Sequence, residues 1–72
     1  MKHHYRVKLA RIENDLTQAQ LAEKVGVTRQ TIGLIEKGHY NPSLKLCLAI
    51  ARALNKTLDE LFWTEEDNDD EG

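Results

Sequence analysis

Seventy-two residues, 40% of them hydrophobic, suffice for one small domain and exclude two independent cores, so a multi-step enzyme is not expected. Ten Lys and Arg against twelve Asp and Glu give a formal net charge of −2, which by itself disfavours a nucleic-acid partner. The distribution reverses that reading: residues 1–63 hold all ten cations and six of the anions, a balance of +4, while the other six acids crowd into TEEDNDDEG, Thr64 to Gly72.

The expected organisation is therefore a basic domain over 1–63 and an acidic tail over 64–72 that lacks apolar residues and should be disordered. No apolar run approaches the roughly 20 residues that span a bilayer, and MKHHYRVK lacks the uninterrupted apolar stretch expected of a signal peptide. The single cysteine, Cys47, cannot form an internal disulfide, which suits a reducing compartment; the expectation is a cytoplasmic protein away from membranes.

In RVKLARIEN, Val7, Ala10 and Arg11 recur at helical spacing and predict a first helix from about Tyr5 to Asn14. A second helix starts in DLTQAQLAEKVG, where Thr17 and Gln20 have capping-box spacing and Leu16 can staple onto Leu21. It should bury Leu21, Ala22 and Val25 and stop at Gly26. Thr28 then caps a third helix, with Val27 placed to staple onto Ile32. Because only Gly26 and Val27 lie between the second helix and that cap, the two helices must cross steeply, as in a helix-turn-helix.

HYNPS reads as a turn: Gly38 ends the third helix, Pro42 forbids its continuation and Ser43 caps the next. LKLCLAIARAL carries charge only at Lys45 and Arg52, seven residues apart on one face, and is expected to be the central buried helix. Thr57 and Glu60 form another capping box that opens a short fifth helix ending near Phe62. Leu58, Leu61, Phe62 and Trp63 exceed what so short a helix buries against its own domain, which suggests a dimer interface. The alternative is that Trp63 folds back over Tyr5 or Val7, and both hold if the N-terminal segment and the residues after Phe62 pair as a short terminal strand element.

On the third helix, 100° per residue sets Gln30, Gly33, Leu34 and Lys37 opposite Ile32 and Ile35, with Arg29 and Thr31 flanking the N-terminal end. Gln bonds bidentately to adenine, Arg to guanine, and an apolar side chain meets the thymine methyl, so Gln30, Arg29 and Leu34 suit a major-groove reader. Gly33 costs about 1 kcal/mol relative to Ala in a helix interior but permits close approach to another surface. The plain alternative for each is a solvated face with one stray leucine.

The arrangement around them decides more. TQAQLAEKVGVTRQTIGLIEKGHYNPSL, together with LDELF, resembles the Cro and repressor type (Xre-like) helix-turn-helix family over nearly all of Tyr5 to Trp63. The resemblance implies an all-α, five-helix, lambda-repressor-like fold, sequence-specific binding of double-stranded DNA, and usually a homodimer on a palindromic site. It further implies that Gln18 bonds a phosphate and braces Gln30, that Thr28 and Thr31 hold the DNA backbone, that Arg29 and Gln30 read bases, and that Tyr40 and Asn41 add backbone contacts. Arg11 and Glu36 match family positions that form an internal ion pair. Many relatives carry a polar residue where this chain has Gly33 or Leu34.

His3, His4 and His39 lack metal-ligand spacing, Cys47 reads as packing, and Asp59 and Glu60 have no nucleophile or phosphate loop beside them. No metal, cofactor or enzymatic activity is expected. The expected function is a transcriptional repressor; the rival is a protein-binding module such as the antitoxin of a toxin pair, with an unidentified protein as partner.

Overall fold

The computed structural model describes residues 5–62. His3, His4, Trp63, the acidic tail and the expected terminal strand element lie outside the described residues, within which every regular element is a helix. These are α1 (Tyr5–Glu13), α2 (Gln18–Val25), α3 (Arg29–Lys37), α4 (Leu44–Leu54) and α5 (Leu58–Phe62).

The start signals act as the side-chain chemistry requires. Thr17 Oγ1 accepts from the Gln20 backbone N–H at 3.0 Å while Gln20 Oε1 accepts from the Thr17 N–H at 2.8 Å. Thr57 and Glu60 repeat the reciprocal pair at 3.2 and 2.8 Å. Thr28 and Ser43 each cap with one bond, to the N–H of Thr31 and Leu46. Each bond satisfies an amide that the first helical turn leaves without a partner.

The stops differ in kind. Gly26 and Gly38 close α2 and α3 in the left-handed region, both at φ 80°, where a missing Cβ removes the steric cost. α1 and α4 are followed by left-handed residues that are not glycine, Asp15 at φ 56° and Asn55 at φ 57°. Asn and Asp tolerate this conformation better than other side chains, and in the α4 turn the Lys56 N–H closes onto the Ala51 carbonyl at 2.9 Å.

α2 and α3 pack tightly on each other, α4 lies under α2, and α5 closes against α1 and α4. The core that results contains Val7 and Ala10 from α1, Leu21 and Ala22 from α2, Ile32 and Ile35 from α3, Ile50, Ala51 and Leu54 from α4, and Leu61 from α5. Leu16 and Val27 pack on it as the staple spacing predicts, and Val25 is only half-buried.

Two sequence expectations need correction here. α4 is not buried around most of its circumference: Ile50, Ala51 and Leu54 are buried and Leu46 and Ala53 pack beside them, while Leu44 is 67% and Leu48 41% exposed. Leu61, expected at a dimer interface, is 1% exposed and belongs to the core of its own chain. A short helix has room for one fully buried leucine when it sits in the notch between two others. Burying a leucine stabilises by about 1.5 to 3 kcal/mol, so Leu61 anchors α5.

Candidate nucleic-acid interface

The capped start of α3 fixes which face of the helix turns outward. Thr28 ends the turn in an extended conformation and its Oγ1 lies 3.0 Å from Thr31 Oγ1, so both hydroxyls stand at the N-terminal end of the helix. Ile32 and Ile35 lock the opposite side into the core at zero exposure. Arg29, Gln30 and Lys37 are thereby left exposed, with Thr31, Gly33 and Leu34 half-buried beside them.

Gln18, Arg29, Gln30, Gly33, Leu34 and Lys37 line one shallow groove of about 330 Å³. Six of the residues singled out in the sequence thus share a single surface. It combines a guanidinium, two carboxamides, an ammonium and one apolar side chain, the donors, acceptors and methyl partner that base edges and phosphates demand.

Gln18 is held from within the domain. Its Nε2 donates to Glu36 Oε1 at 3.0 Å, and its amide lies over Gly33. Glu36 is 7% exposed and also accepts from Arg11, Nε to Oε2 at 2.7 Å and Nη2 to Oε1 at 3.2 Å. The Arg11 Nη1 donates in turn to the Leu16 carbonyl at 2.9 Å. The ion pair implied between α1 and α3 is present. It also orients Gln18, because a carboxylate only accepts hydrogen bonds and so selects the amide nitrogen.

A Cβ placed on Gly33 would meet nothing closer than Gln18 Nε2 at 3.7 Å, an ordinary contact. Packing within the chain therefore does not require glycine there, and the free space opens toward the groove.

Tyr40 does not join this surface. It lines a separate groove of about 330 Å³ with Val25, Val27, Ser43, Lys45, Leu46 and Ala49. Asn41 is exposed in the turn between α3 and α4. Leu58 and Phe62 are half-buried against the core.

Sequence reasoning missed Tyr5 and Lys8, which line a groove of about 200 Å³ with Gln18, Gly33, Glu36 and Lys37. This groove shares Gln18, Gly33 and Lys37 with the reading surface, so one flank of α1 opens beside it. The signal was present: Arg11 had to face α3 to reach Glu36, and Lys8 lies one turn before Arg11 on the same flank.

Burial pushes the Cys47 thiol above its usual range, and its Sγ lies 3.8 Å from the Pro42 carbonyl oxygen, which leaves a protonated packing group. Among the described residues no three His, Cys, Asp or Glu side chains gather as a metal would need, and no helix is long and apolar enough to cross a membrane.

A tight α2–turn–α3 unit with one helix locked inward and a polar face outward defines a helix-turn-helix protein, and residues 7–61 match the model of the helix-turn-helix family. The chain belongs to that family. It is 48% identical over 63 residues to the uncharacterized HTH-type transcriptional regulator YgzD of Bacillus subtilis, a match covering 88% of this chain and 96% of YgzD. Among solved structures, the restriction-modification controller protein C.AhdI from Aeromonas hydrophila superposes with a TM-score of 0.76 at 36% identity, over 82% of this chain and 86% of its own. The P22 c2 repressor, solved in complex with a synthetic operator, superposes with a TM-score of 0.81 at 27% identity, over 88% of this chain and 96% of its own.

Proposed function

We propose that this chain is a transcriptional repressor that binds a specific double-stranded DNA site as a homodimer and acts by hindering polymerase at the promoter it occupies. The observation that carries this reading is the single groove shared by Gln18, Arg29, Gln30, Gly33, Leu34 and Lys37, backed by a helix that the core holds rigid. Arg29 and Gln30 read base edges, Leu34 meets a thymine methyl, and Thr28, Thr31, Gln18 and Lys37 hold phosphates. Tyr40 and Asn41 contact the backbone from beyond α3.

Residues 1–63 form the binding and dimerising unit, with Leu58, Phe62 and Trp63 as interface residues. The tail over 64–72 repels DNA and tempers non-specific binding. The protein works in the cytoplasm and needs no cofactor. The named relatives are regulators and repressors, and the antitoxin reading gains no support from them.

The test is fluorescence anisotropy with duplexes tiled across the protein's own upstream region, over a range of salt. Affinity that falls linearly in log-log form with salt, on a duplex containing an inverted repeat, supports the reading, and the slope gives the number of phosphates neutralised. Failure to bind any such duplex at low salt rejects it.

A further inference from the structure

The solvent side of α1 is inverted. Val7, Ala10 and Arg11 face the core, and the centre of the opposite face carries Tyr5, Leu9 and Ile12, which are 58%, 46% and 52% exposed. Their spacing of four and three residues stacks them in one row along the helix. A helix that served only as a wall of the domain would place polar residues there. We propose that this row is the centre of a contact with a second copy of the same chain, two α1 helices meeting antiparallel across a two-fold axis near Leu9. The inference rests on the homodimer reading above and moves the centre of its interface from the α5 end to α1.

Charge selects a second copy as the occupant. Along one flank of the row lie Arg6 and Glu13, in a groove shared with Lys56 and Glu60 of the α5 side. An antiparallel pairing keeps each flank on its own side while reversing the order along the helix. Arg6 of one copy then meets Glu13 of the other, and the reverse, on the same edge. Glu13 already receives Lys56 Nζ at 3.4 Å, and Arg6 too has an interaction within its own chain, so the contact joins existing networks across the axis.

The other exposed apolar pair, Leu44 and Leu48 on α4, lacks this property. Its helix carries Lys45 and Arg52 and no acid, so a copy of itself offers no cross-pair of opposite charge.

The second flank makes the arrangement useful. Lys8 and Tyr5 open onto the groove that shares Gln18, Gly33 and Lys37 with the reading surface. A two-fold axis running along the direction of the flanks turns the Lys8 sides of both copies the same way. Both α3 helices then face one duplex, as a symmetric pair of half-sites requires.

Sedimentation of the full chain, with and without substitutions, tests the contact. The unmodified chain should be dimeric, and Leu9→Glu should raise its dimer dissociation constant by at least about tenfold, leaving its helical circular dichroism unchanged because the position is exposed. In a Cys47→Ser background, Leu9→Cys should form a disulfide-linked dimer under mild oxidation, and this result decides the matter should Leu9→Glu fail to fold. A dimer indifferent to Leu9→Glu but broken by Phe62→Asp would overturn the α1 contact and leave the homodimer intact. A monomeric unmodified chain would overturn both; if Leu9→Glu then red-shifts the emission of the single tryptophan, Trp63, the row is covered by the chain's own C-terminal residues.

Discussion

Gln18 reaches the reading surface from α2, yet its orientation is set by Glu36 of α3, whose carboxylate is itself held by Arg11 of α1. Three helices therefore meet at one buried acid. The side chain that the family resemblance makes a phosphate ligand is the outer end of a relay.

Removing one member of the relay should be costly to the fold. The Arg11 and Glu36 side chains are 11% and 4% exposed, so Arg11→Ala leaves a nearly buried carboxylate without its counter-charge. The expected loss is about 3 to 5 kcal/mol by urea denaturation, and Arg11→Met combined with Glu36→Leu should recover most of it because neither charge is then stranded.

Gln30 is exposed and has no structural duty, so Gln30→Ala should leave thermal stability unchanged to within about 0.5 kcal/mol. Against the cognate site it should cost about 1 to 3 kcal/mol, with discrimination relaxed mainly at one base pair per half-site. Equal loss for every single-base variant of the site would show that Gln30 positions the helix without reading it.

Gly33→Ala separates folding from binding. The new methyl meets only an ordinary contact with Gln18, so the helix should gain about 1 kcal/mol of stability. The methyl enters the groove proposed to meet DNA, so affinity for the operator should fall. A variant that is both more stable and equally tight would mean that the close approach occurs elsewhere.

Glu60 supplies a test by pH. Its hydrogen bond with the Thr57 backbone N–H, followed by that with the Thr57 side chain and the charge of Lys56, lowers its pKa below the usual 4.5. A depressed carboxylate stabilises the fold fully above its unfolded pKa, and that stabilisation is lost as pH falls through the lower folded value. Glu60→Gln should therefore differ from the unmodified chain at neutral pH and converge with it in acid. The equivalent box on α2 uses Gln20 and should show no such dependence.

The helices were legible in the sequence because their boundaries are local: each Thr or Ser cap bonds an amide three residues ahead, and each stop glycine acts where it stands. The outward face of α3 was legible for the same reason, since Ile32 and Ile35 fix which side of the helix turns away from the core. What escaped was set by neighbours distant in sequence. Leu61 is buried because α1 and α4 form a notch around it, Gln18 turns to Glu36 because Arg11 has already drawn that acid inward, and Leu44 and Leu48 are exposed because none of the described residues packs over that side of α4. Periodicity names the faces of a helix without saying how many of them will find company.

Asn14 shows what such distant ties do over time. Its Nδ2 donates to the Ala10 carbonyl at 2.8 Å and, across 40 positions, to the Leu54 carbonyl at 3.3 Å, joining the last turn of α1 to the last turn of α4. Unwinding α1 from that end therefore also breaks its tie to the end of α4. Backbone amides at the C-terminal ends of both helices should exchange with solvent deuterium in one cooperative event, slower than the opening of either helix alone would allow.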